Sequence, residues 1–278
     1  MSERIPQLEK DVKDKLEKVG IEMDKEKRSA IFLQVDQNVE TSSSFASGIE
    51  MIGIKQALEK HDWLHDYFWK VVSRDKDEYT KEVDVEDVNG YFIRSLPDTK
   101  VTFPVEACLY LKSPKKQKVH NIIIAEEGSE LNIISGCASH PGLTTGMHLG
   151  ISEFYVKKNA KLSFTMIHNW ENNIEVRPRS AAIVEDGGTY ISNYIIMNPV
   201  KIVQSYPTVH LNGDNSTAIM SSVIVAMDNS IVDTGSRVVI KGKNSSAEIL
   251  SRAISKGGII YSRRSEERRV GKECRSRW

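Results

Sequence analysis

Two short stretches near the start of the chain carry apolar residues at helical spacing. The first has one apolar face, ends at Gly20 and predicts a short amphipathic helix: Leu8, Val12, Leu16 and Val19. The second begins near Gly53 and predicts another helix through residue 71. The charged stretch 73–87 that follows is interpreted as a mobile linker. Residues 1–90 are therefore predicted to form a small α-helical region with a linker.

From Tyr91 the pattern changes, because β-branched and aromatic residues now dominate and Gly, Asn, Asp and Pro interrupt them. Five segments repeat one design of an apolar strand, a polar turn and a second strand. The turns are centred 31, 28, 28 and 29 residues apart: Gly128, Asn159, Gly187, Asn215 and Asn244. Gly and Asn tolerate the left-handed backbone of a sharp corner. A fixed period in this range indicates stacked units.

The repeat predicts a mainly β fold, a right-handed parallel β-helix over residues 91–260. A single unit cannot bury both of its faces, whereas a stack pairs every strand with the units above and below. A sandwich of two hairpin sheets is the alternative. The regular period favours the β-helix.

The repeat stops after Gly258, where another strand pair is due. Residues 261–278 are instead rich in arginine and contain Cys274. We interpret them as a non-native tail, such as a read-through sequence, with a genuine basic tail as the alternative. Under the first interpretation the β-helix is incomplete at its C-terminal end.

Composition narrows the classes of partner. Lys plus Arg and Asp plus Glu both number 38, and no basic stripe interleaved with aromatic residues precedes the tail, so nucleic acid is not a predicted partner. No apolar stretch reaches the roughly 18 residues of a membrane span, so no membrane association is predicted. Three cysteines are too few for a disulfide framework and fit a reducing compartment. We therefore expect a cytoplasmic protein.

His61 and His65 stand four residues apart in the second predicted helix and could form half of a zinc site. Asp62 follows the first histidine where the motif needs Glu, and no third ligand lies at a recognisable spacing. Histidines with a structural or surface role are the favoured interpretation. No serine nucleophile has the context of an esterase elbow, so no enzyme is predicted, with a carbohydrate-active β-helix enzyme as a weak alternative.

Cys137 is the strongest candidate for chemistry. It follows the first repeated strand pair in Ser-Gly-Cys-Ala-Ser-His-Pro-Gly (135–142), which we interpret as a loop able to expose a thiol, with His148 and His168 in the next unit. Thiolate and imidazole bind zinc, copper and iron–sulfur clusters. Buried packing is the alternative for Cys137, and it suits Cys108 in its apolar strand better.

Several motifs, in order and spacing, resemble the SufB/SufD family of the Suf iron–sulfur cluster assembly machinery. They are Gly136-Cys137-Ala138 with Pro141, His148 with Glu153, Lys158-Asn159-Ala160 leading to His168-Asn169-Trp170, Tyr206-Pro207, Gly213-Asp214-Asn215-Ser216, and Asp233-Thr234-Gly235-Ser236 through Gly242-Lys243-Asn244 to Ile254-Ser255-Lys256-Gly257. The resemblance covers about 90–258 and extends loosely to the first helices.

This resemblance implies a cytoplasmic scaffold, not an enzyme, on which an iron–sulfur cluster is assembled transiently. It implies a SufC-type ATPase and a SufB/SufD-type homodimer or heterodimer partner, with Cys137 in sulfur handling. Cys137 and His148 are the candidate metal ligands, and a structural residue of its strand is the alternative for His148. A SufD-like partner that binds no metal is the alternative. The family usually has Gln where this chain has His168. The family's second cysteine and SufC-docking domain would lie beyond Gly258.

Overall fold

The computed structural model describes residues 10–22, 24–87, 89–263 and 268–269. Its helices are α1 (Lys10–Glu17), α2 (Ile54–Lys60) and α3 (Glu78–Val83), with 3-10 turns at Lys25–Lys27 and Asp62–Asp66. Its strands are β1 (Ala30–Val35), β2 (Asn38–Ser44), β3 (Ile49–Gly53), β4 (Tyr91–Ser95), β5 (Val105–Leu111), β6 (Lys116–Ala125), β7 (Glu130–Ser139), β8 (Gly146–Val156), β9 (Lys161–Asn169), β10 (Ile174–Val184), β11 (Thr189–Ile196), β12 (Ile202–Ser205), β13 (Thr208–Leu211), β14 (Thr217–Ala226), β15 (Ile231–Gly235), β16 (Arg237–Ile240), β17 (Ser246–Ser255), β18 (Ile259–Arg263) and β19 (Arg268–Arg269).

From β4 to β18 the chain alternates between two sheets. One sheet has the order β17-β14-β11-β9-β7-β5-β1-β2, and the other has the order β18-β15-β12-β10-β8-β6-β4-β3 with β13, β16 and β19 beside it. Each strand pairs in parallel with its counterpart one turn away, as β7 does with β5 and β9. The result is a parallel β-solenoid of about six turns, which confirms the predicted mainly β fold class.

Alternate residues of each strand point into the space between the two sheets, which we call the lumen. In β7, Leu131, Ile133 and Cys137 belong to the main buried core, whereas Ala138 belongs to a separate cluster on the outer face. This alternation follows from the two-residue period of a strand. A residue's place in the strand therefore decides whether its side chain faces the lumen or the outside.

One corner of the solenoid is built from the five predicted turn residues. Their φ angles lie between 55° and 69°, in the left-handed region that Gly and Asn adopt at least cost: Gly128, Asn159, Gly187, Asn215 and Asn244. Backbone hydrogen bonds join successive turns, since the Asn159 N–H donates to Asp186 at 2.8 Å and the Gly187 N–H donates to Asp214 at 2.8 Å. The predicted period therefore corresponds to one turn of the solenoid.

The first ninety residues are not mainly helical, contrary to the prediction. Residues 30–53 form β1, β2 and β3 instead. The apolar run of β1 was too short to separate a strand from a buried helix by its periodicity. It pairs in parallel with β5 and so extends one sheet, while β3 pairs antiparallel with β4 and extends the other. The two predicted helices are present as α1 and α2, both short.

The predicted mobile linker is also wrong, because residues 78–83 form α3. The Asp77 carboxylate accepts hydrogen bonds from the N–H groups of Tyr79 and Thr80, and the Thr80 hydroxyl accepts one from the Asp77 N–H in return. This reciprocal capping box starts a helix in a charged sequence. Thr80 and Val83 are fully buried against the solenoid.

A buried carboxylate anchors the segment after α2 to the outer face of β8. Glu153 accepts hydrogen bonds from the backbone N–H groups of Trp69, Val71 and Val72 at 2.7, 2.6 and 3.0 Å, and His120 Nε2 lies 2.7 Å from it. These bonds satisfy backbone donors that would otherwise be buried without a partner. Glu153 thus has a structural role, on the face opposite the lumen.

Candidate functional site in the solenoid lumen

Cys137 lies in β7, on the face that points into the lumen, and its side chain is fully buried. The expectation of a thiol exposed on a loop is therefore wrong, because the Gly-Cys-Ala segment continues the strand as far as Ser139. Burial raises the pKa of the Cys137 thiol to about 12, and the neighbouring Ser135 hydroxyl offsets part of this effect. The resting residue is a neutral thiol.

Gly136, the residue before Cys137, faces the opposite way and lies under α1. A Cβ atom at this position would come within 2.5 Å of Val19 Cγ2. Only glycine lets the end of α1 approach the strand this closely. The outer side of the strand that carries Cys137 is thus covered by the N-terminal helix.

His148 lies in β8 and also faces the lumen. Its Nδ1 is 2.8 Å from Gln117 Oε1, and the Gln117 amide nitrogen donates to the carbonyls of Asp36 and Tyr110. The amide orientation makes Oε1 the acceptor, so Nδ1 of His148 carries the hydrogen and Nε2 has a free lone pair. Burial lowers the pKa of His148 to about 4, which keeps the ring neutral.

His168 occupies β9 in direct register with Cys137. The Trp170 indole Nε1–H donates to His168 Nδ1 at 2.6 Å, and His168 Nε2 is buried without a hydrogen-bond partner. The Tyr194 ring packs against the His168 ring edge-to-face at 4.9 Å. Burial, reinforced by the nearby His148 ring, lowers the pKa of His168 to about 3.

These side chains form one group, which we call the lumen cluster: Cys137, His148, His168, Trp170 and Tyr194. Trp170 lies against both imidazoles, with ring centroids 5.2 Å from His148 and 5.9 Å from His168. The cluster combines a thiol, a neutral imidazole with a free nitrogen, and a neutral imidazole with an unpaired ring nitrogen. Such a set can hold a sulfur species or contribute to metal binding.

A cavity of about 240 Å³ adjoins the lumen cluster and follows the lumen toward β17 and β18. Tyr194 lines it and also contacts His168, so the cavity reaches the cluster. Hydroxyl groups from many turns line its wall: Ser152, Ser180, Ser192, Ser205, Ser222 and Thr234. Apart from these hydroxyls the wall is mostly apolar, and a cavity of this size has room for several water molecules or a small ligand.

Metal ligands are sparse in the part of the chain that the structure describes. No three His, Cys, Asp or Glu residues in it are grouped to hold a metal ion. The zinc hypothesis for His61 and His65 also fails on geometry, because α2 ends at Lys60 and the two histidines do not share one helix face. His61 Nε2 instead lies 2.9 Å from Glu50.

Sequence reasoning did not identify Gln117, Tyr194 or the cavity serines as part of the site. Their common signal is position, since each lies an even number of residues from an apolar residue that faces the lumen. Counting by twos from the apolar positions of each strand would have placed them in the lumen.

Comparison with known protein families identifies the family of this chain. Residues 110–264, more than half of the chain, match the family model described as SUF system FeS cluster assembly, SufBD core domain. The chain belongs to the SufBD family. The matched residues include the whole lumen cluster. In this SufBD-family chain, the resemblance inferred from the motifs is thus confirmed.

Proteins named iron–sulfur cluster assembly SufBD family proteins are similar over most of the chain. The one from Archaeoglobus fulgidus is 66% identical over 251 residues, which is 90% of this chain and 68% of the relative. One from Methanothermobacter thermautotrophicus is 45% identical over 266 residues, 94% of this chain and 65% of the relative. One from Staphylococcus epidermidis is 27% identical over 207 residues, 73% of this chain and 44% of the relative.

The chain therefore spans about two thirds of the length of its two archaeal relatives. Residues 264–267 and 270–278, which contain most of the predicted tail, lie outside the described residues. Among the helices that the structure does describe, none is long and apolar enough to cross a membrane.

Proposed function

We propose that this SufBD-family chain acts in the cytoplasm as a scaffold component of Suf cluster assembly and handles sulfur at Cys137. It works with a SufC-type ATPase and a SufB/SufD-type partner chain, and it is a scaffold rather than an enzyme. Family membership supports the system. The observation that carries the site is the place of Cys137, a lumen thiol in register with the His168 imidazole and near a cavity whose wall carries several hydroxyls.

The proposed chemistry at Cys137 is sulfur transfer from a persulfide donor. The Cys137 sulfur attacks the outer sulfur of the donor persulfide, so a new S–S bond forms on Cys137 and the donor's S–S bond breaks. The thiol proton of Cys137 leaves with the donor thiolate. The step involves no net oxidation, and it leaves Cys137 with one additional sulfur atom.

The cluster itself is cargo in this proposal. Iron–sulfur clusters usually take four thiolate or imidazole ligands. Cys137 and His148 offer at most two of these, since His148 Nε2 has a free lone pair and His168 Nδ1 is engaged by Trp170. The remaining ligands would come from other residues or from a second chain, which supports a partner of the SufB/SufD type.

The proposal is tested by anaerobic reconstitution with iron and sulfide, comparing the unmodified protein with Cys137→Ala and Cys108→Ala. We expect visible cluster absorbance in the unmodified protein and in Cys108→Ala, and loss of most of it in Cys137→Ala. Cys108 is the matched control because it is equally buried in the neighbouring strand. Unchanged absorbance in Cys137→Ala would remove Cys137 from the site.

A second candidate function is a SufD-like partner that binds no metal. The full burial of Cys137 and the lack of a three-residue ligand group in the described residues favour this candidate. It predicts that the unmodified protein acquires no cluster on reconstitution but still forms a complex with a SufB-type chain. Complex formation is expected of both functions, so the absorbance of the reconstituted unmodified protein separates them, and size-exclusion chromatography with such a chain shows that a cluster-free protein is still able to bind its partner.

A further inference from the structure

His168 has a nitrogen that the fold leaves without a partner. Its side chain is 2% exposed, and Nε2 has no hydrogen-bond partner. A buried polar group without a partner destabilises the folded protein, so native proteins keep few of them. An unpaired ring nitrogen that faces the lumen is available to bind a polar ligand.

The hydrogen bond at the other ring nitrogen, Nδ1, determines whether the unpaired Nε2 is a donor or an acceptor. Trp170 Nε1 is a donor only, so His168 Nδ1 must be the acceptor of the 2.6 Å contact and carries no hydrogen. The single ring hydrogen of the neutral imidazole therefore lies on Nε2. His168 presents an N–H donor to the lumen rather than a lone pair, which makes it a partner for an anion and not for a metal ion.

The strand register places this donor beside Cys137. Cys137 and His168 are register partners on adjacent parallel strands, and both face the lumen. Adjacent strands lie about 4.8 Å apart, so an inward side chain on β9 lies beside its neighbour on β7. A sulfur atom added to Cys137 would extend into the space that the two side chains share with Tyr194.

We propose that the His168 Nε2–H is the donor that stabilises a negatively charged sulfur on Cys137, so that His168 is a positioning residue for sulfur uptake. The inference rests on the proposed function of Cys137. Hydrogen bonds from a neutral donor to an anion are shorter and stronger than those between neutral groups. The resting thiol needs little from this donor, whereas the persulfide anion that forms on Cys137 gains a partner in an otherwise apolar wall.

His148 provides the internal contrast. Its Nδ1–H donates to Gln117, which leaves Nε2 as an acceptor. The two lumen histidines are thus held in opposite tautomers by their neighbours, Gln117 for one and Trp170 for the other. This assigns the anion-binding role to His168 and leaves metal binding or proton acceptance to His148.

The test uses inorganic polysulfide as the sulfur source and peptide mass spectrometry to follow added sulfur on Cys137. Initial rates are measured anaerobically across a pH series for the unmodified protein, His168→Leu, His168→Gln and Trp170→Phe. We expect His168→Leu to be about tenfold slower near neutral pH, with its pH profile displaced upward by about one unit, because the anion has lost its donor. His168→Gln should recover most of the rate, since its amide also supplies an N–H.

Trp170→Phe leaves the imidazole in place but frees its Nδ1, and it should give a loss between those of the two His168 variants. His210→Leu is the matched control, because His210 is a half-buried histidine of β13 whose change should leave the profile unaltered. If the unmodified protein takes up no sulfur at Cys137, the proposed function fails. If it does and His168→Leu shows the same rate and profile, the role of His168 alone is overturned.

Discussion

The eight-stranded sheet buries one cysteine on each of its faces, and the two faces differ sharply. Cys137 faces the lumen, in register with His168 and close to a cavity whose wall carries many hydroxyls. Cys108, one strand away in β5, faces outward into an apolar cluster that α1 covers with Val12, Leu16 and Val19. Both thiols are fully buried, and burial raises both pKa values.

The comparison shows that burial alone does not distinguish a packing cysteine from a functional one. What differs is the set of polar groups within reach. Around Cys108 the clustered neighbours are aliphatic or aromatic side chains. Around Cys137 the ring nitrogens of two neutral histidines remain, and one of them is unpaired. The inner face is therefore equipped for a ligand, while the outer face is packed for stability.

The largest expected effect is a loss of folding stability at acid pH, which arises from the inner face and not from the outer face. The folded state holds His148 and His168 neutral, with pKa values lowered from 6.5 to about 4 and about 3. The unfolded chain binds protons at these histidines below pH 6.5, whereas the folded chain does not. The free energy of unfolding should therefore fall as the pH drops from about 6.5 to 4, by roughly 5–6 kcal/mol for the two histidines together.

Urea unfolding at a series of pH values measures how steeply the free energy of unfolding changes with pH, which we call the slope. In the double variant His148→Gln, His168→Gln, the slope should be much shallower over the same range. The outer cluster around Cys108 contains no histidine, so Cys108→Ala should leave the slope as it is. An unchanged slope in the double variant would show that the histidines are not held neutral.

The substitution Gly136→Ala should give the next largest loss of stability, and it acts on the outer face. The new methyl group would lie 2.5 Å from Val19 Cγ2, so α1 must move away from the sheet. We expect a loss of about 2–3 kcal/mol in the free energy of unfolding, typical of overpacking a well-filled contact. Denaturant titration measures it.

A second substitution, in the turn that follows α1, separates steric clash from other causes. Val19→Ala removes the methyl groups that Gly136→Ala would meet, so the double variant should be less destabilised than the sum of the two single variants. Additive losses would mean that α1 does not pack on Gly136 as described.

Replacing each cysteine by serine should give smaller losses of stability. It compares the surroundings of the two cysteines directly. In Cys108→Ser the hydroxyl enters an apolar cluster without a partner, at an expected cost of about 2 kcal/mol. In Cys137→Ser it enters a region with Ser135 close by, at an expected cost of about 1 kcal/mol or less. Equal losses in thermal or denaturant unfolding would contradict the difference between the faces.

The solenoid could be predicted from the sequence because its corners obey local rules. Asn159 and Gly187 recur one period apart, and the left-handed backbone they adopt depends on those residues alone. The strands β1 to β3 could not be predicted in the same way. Ala30–Val35 is a short apolar run that becomes a strand because β5 offers an edge to pair with.

The site was only partly predictable. Cys137, His148 and His168 could be selected by residue type, but the burial of Cys137 depends on where β7 ends, and a run of small residues does not show that. The tautomer of His168 depends on Trp170, which lies just beyond the end of β9, the strand that contains His168. Such contacts come from tertiary packing, so no spacing rule reveals them.

The most direct test of the central claim is where added sulfur is found when the protein meets a persulfide donor without oxygen. Peptide mass spectrometry after a short reaction distinguishes the peptide of Cys137 from that of Cys108. The account predicts one additional sulfur atom on Cys137, reached through the lumen, and none on Cys108 beneath α1. Equal labelling of both cysteines, or labelling of Cys108 alone, would contradict the assignment of sulfur handling to the lumen.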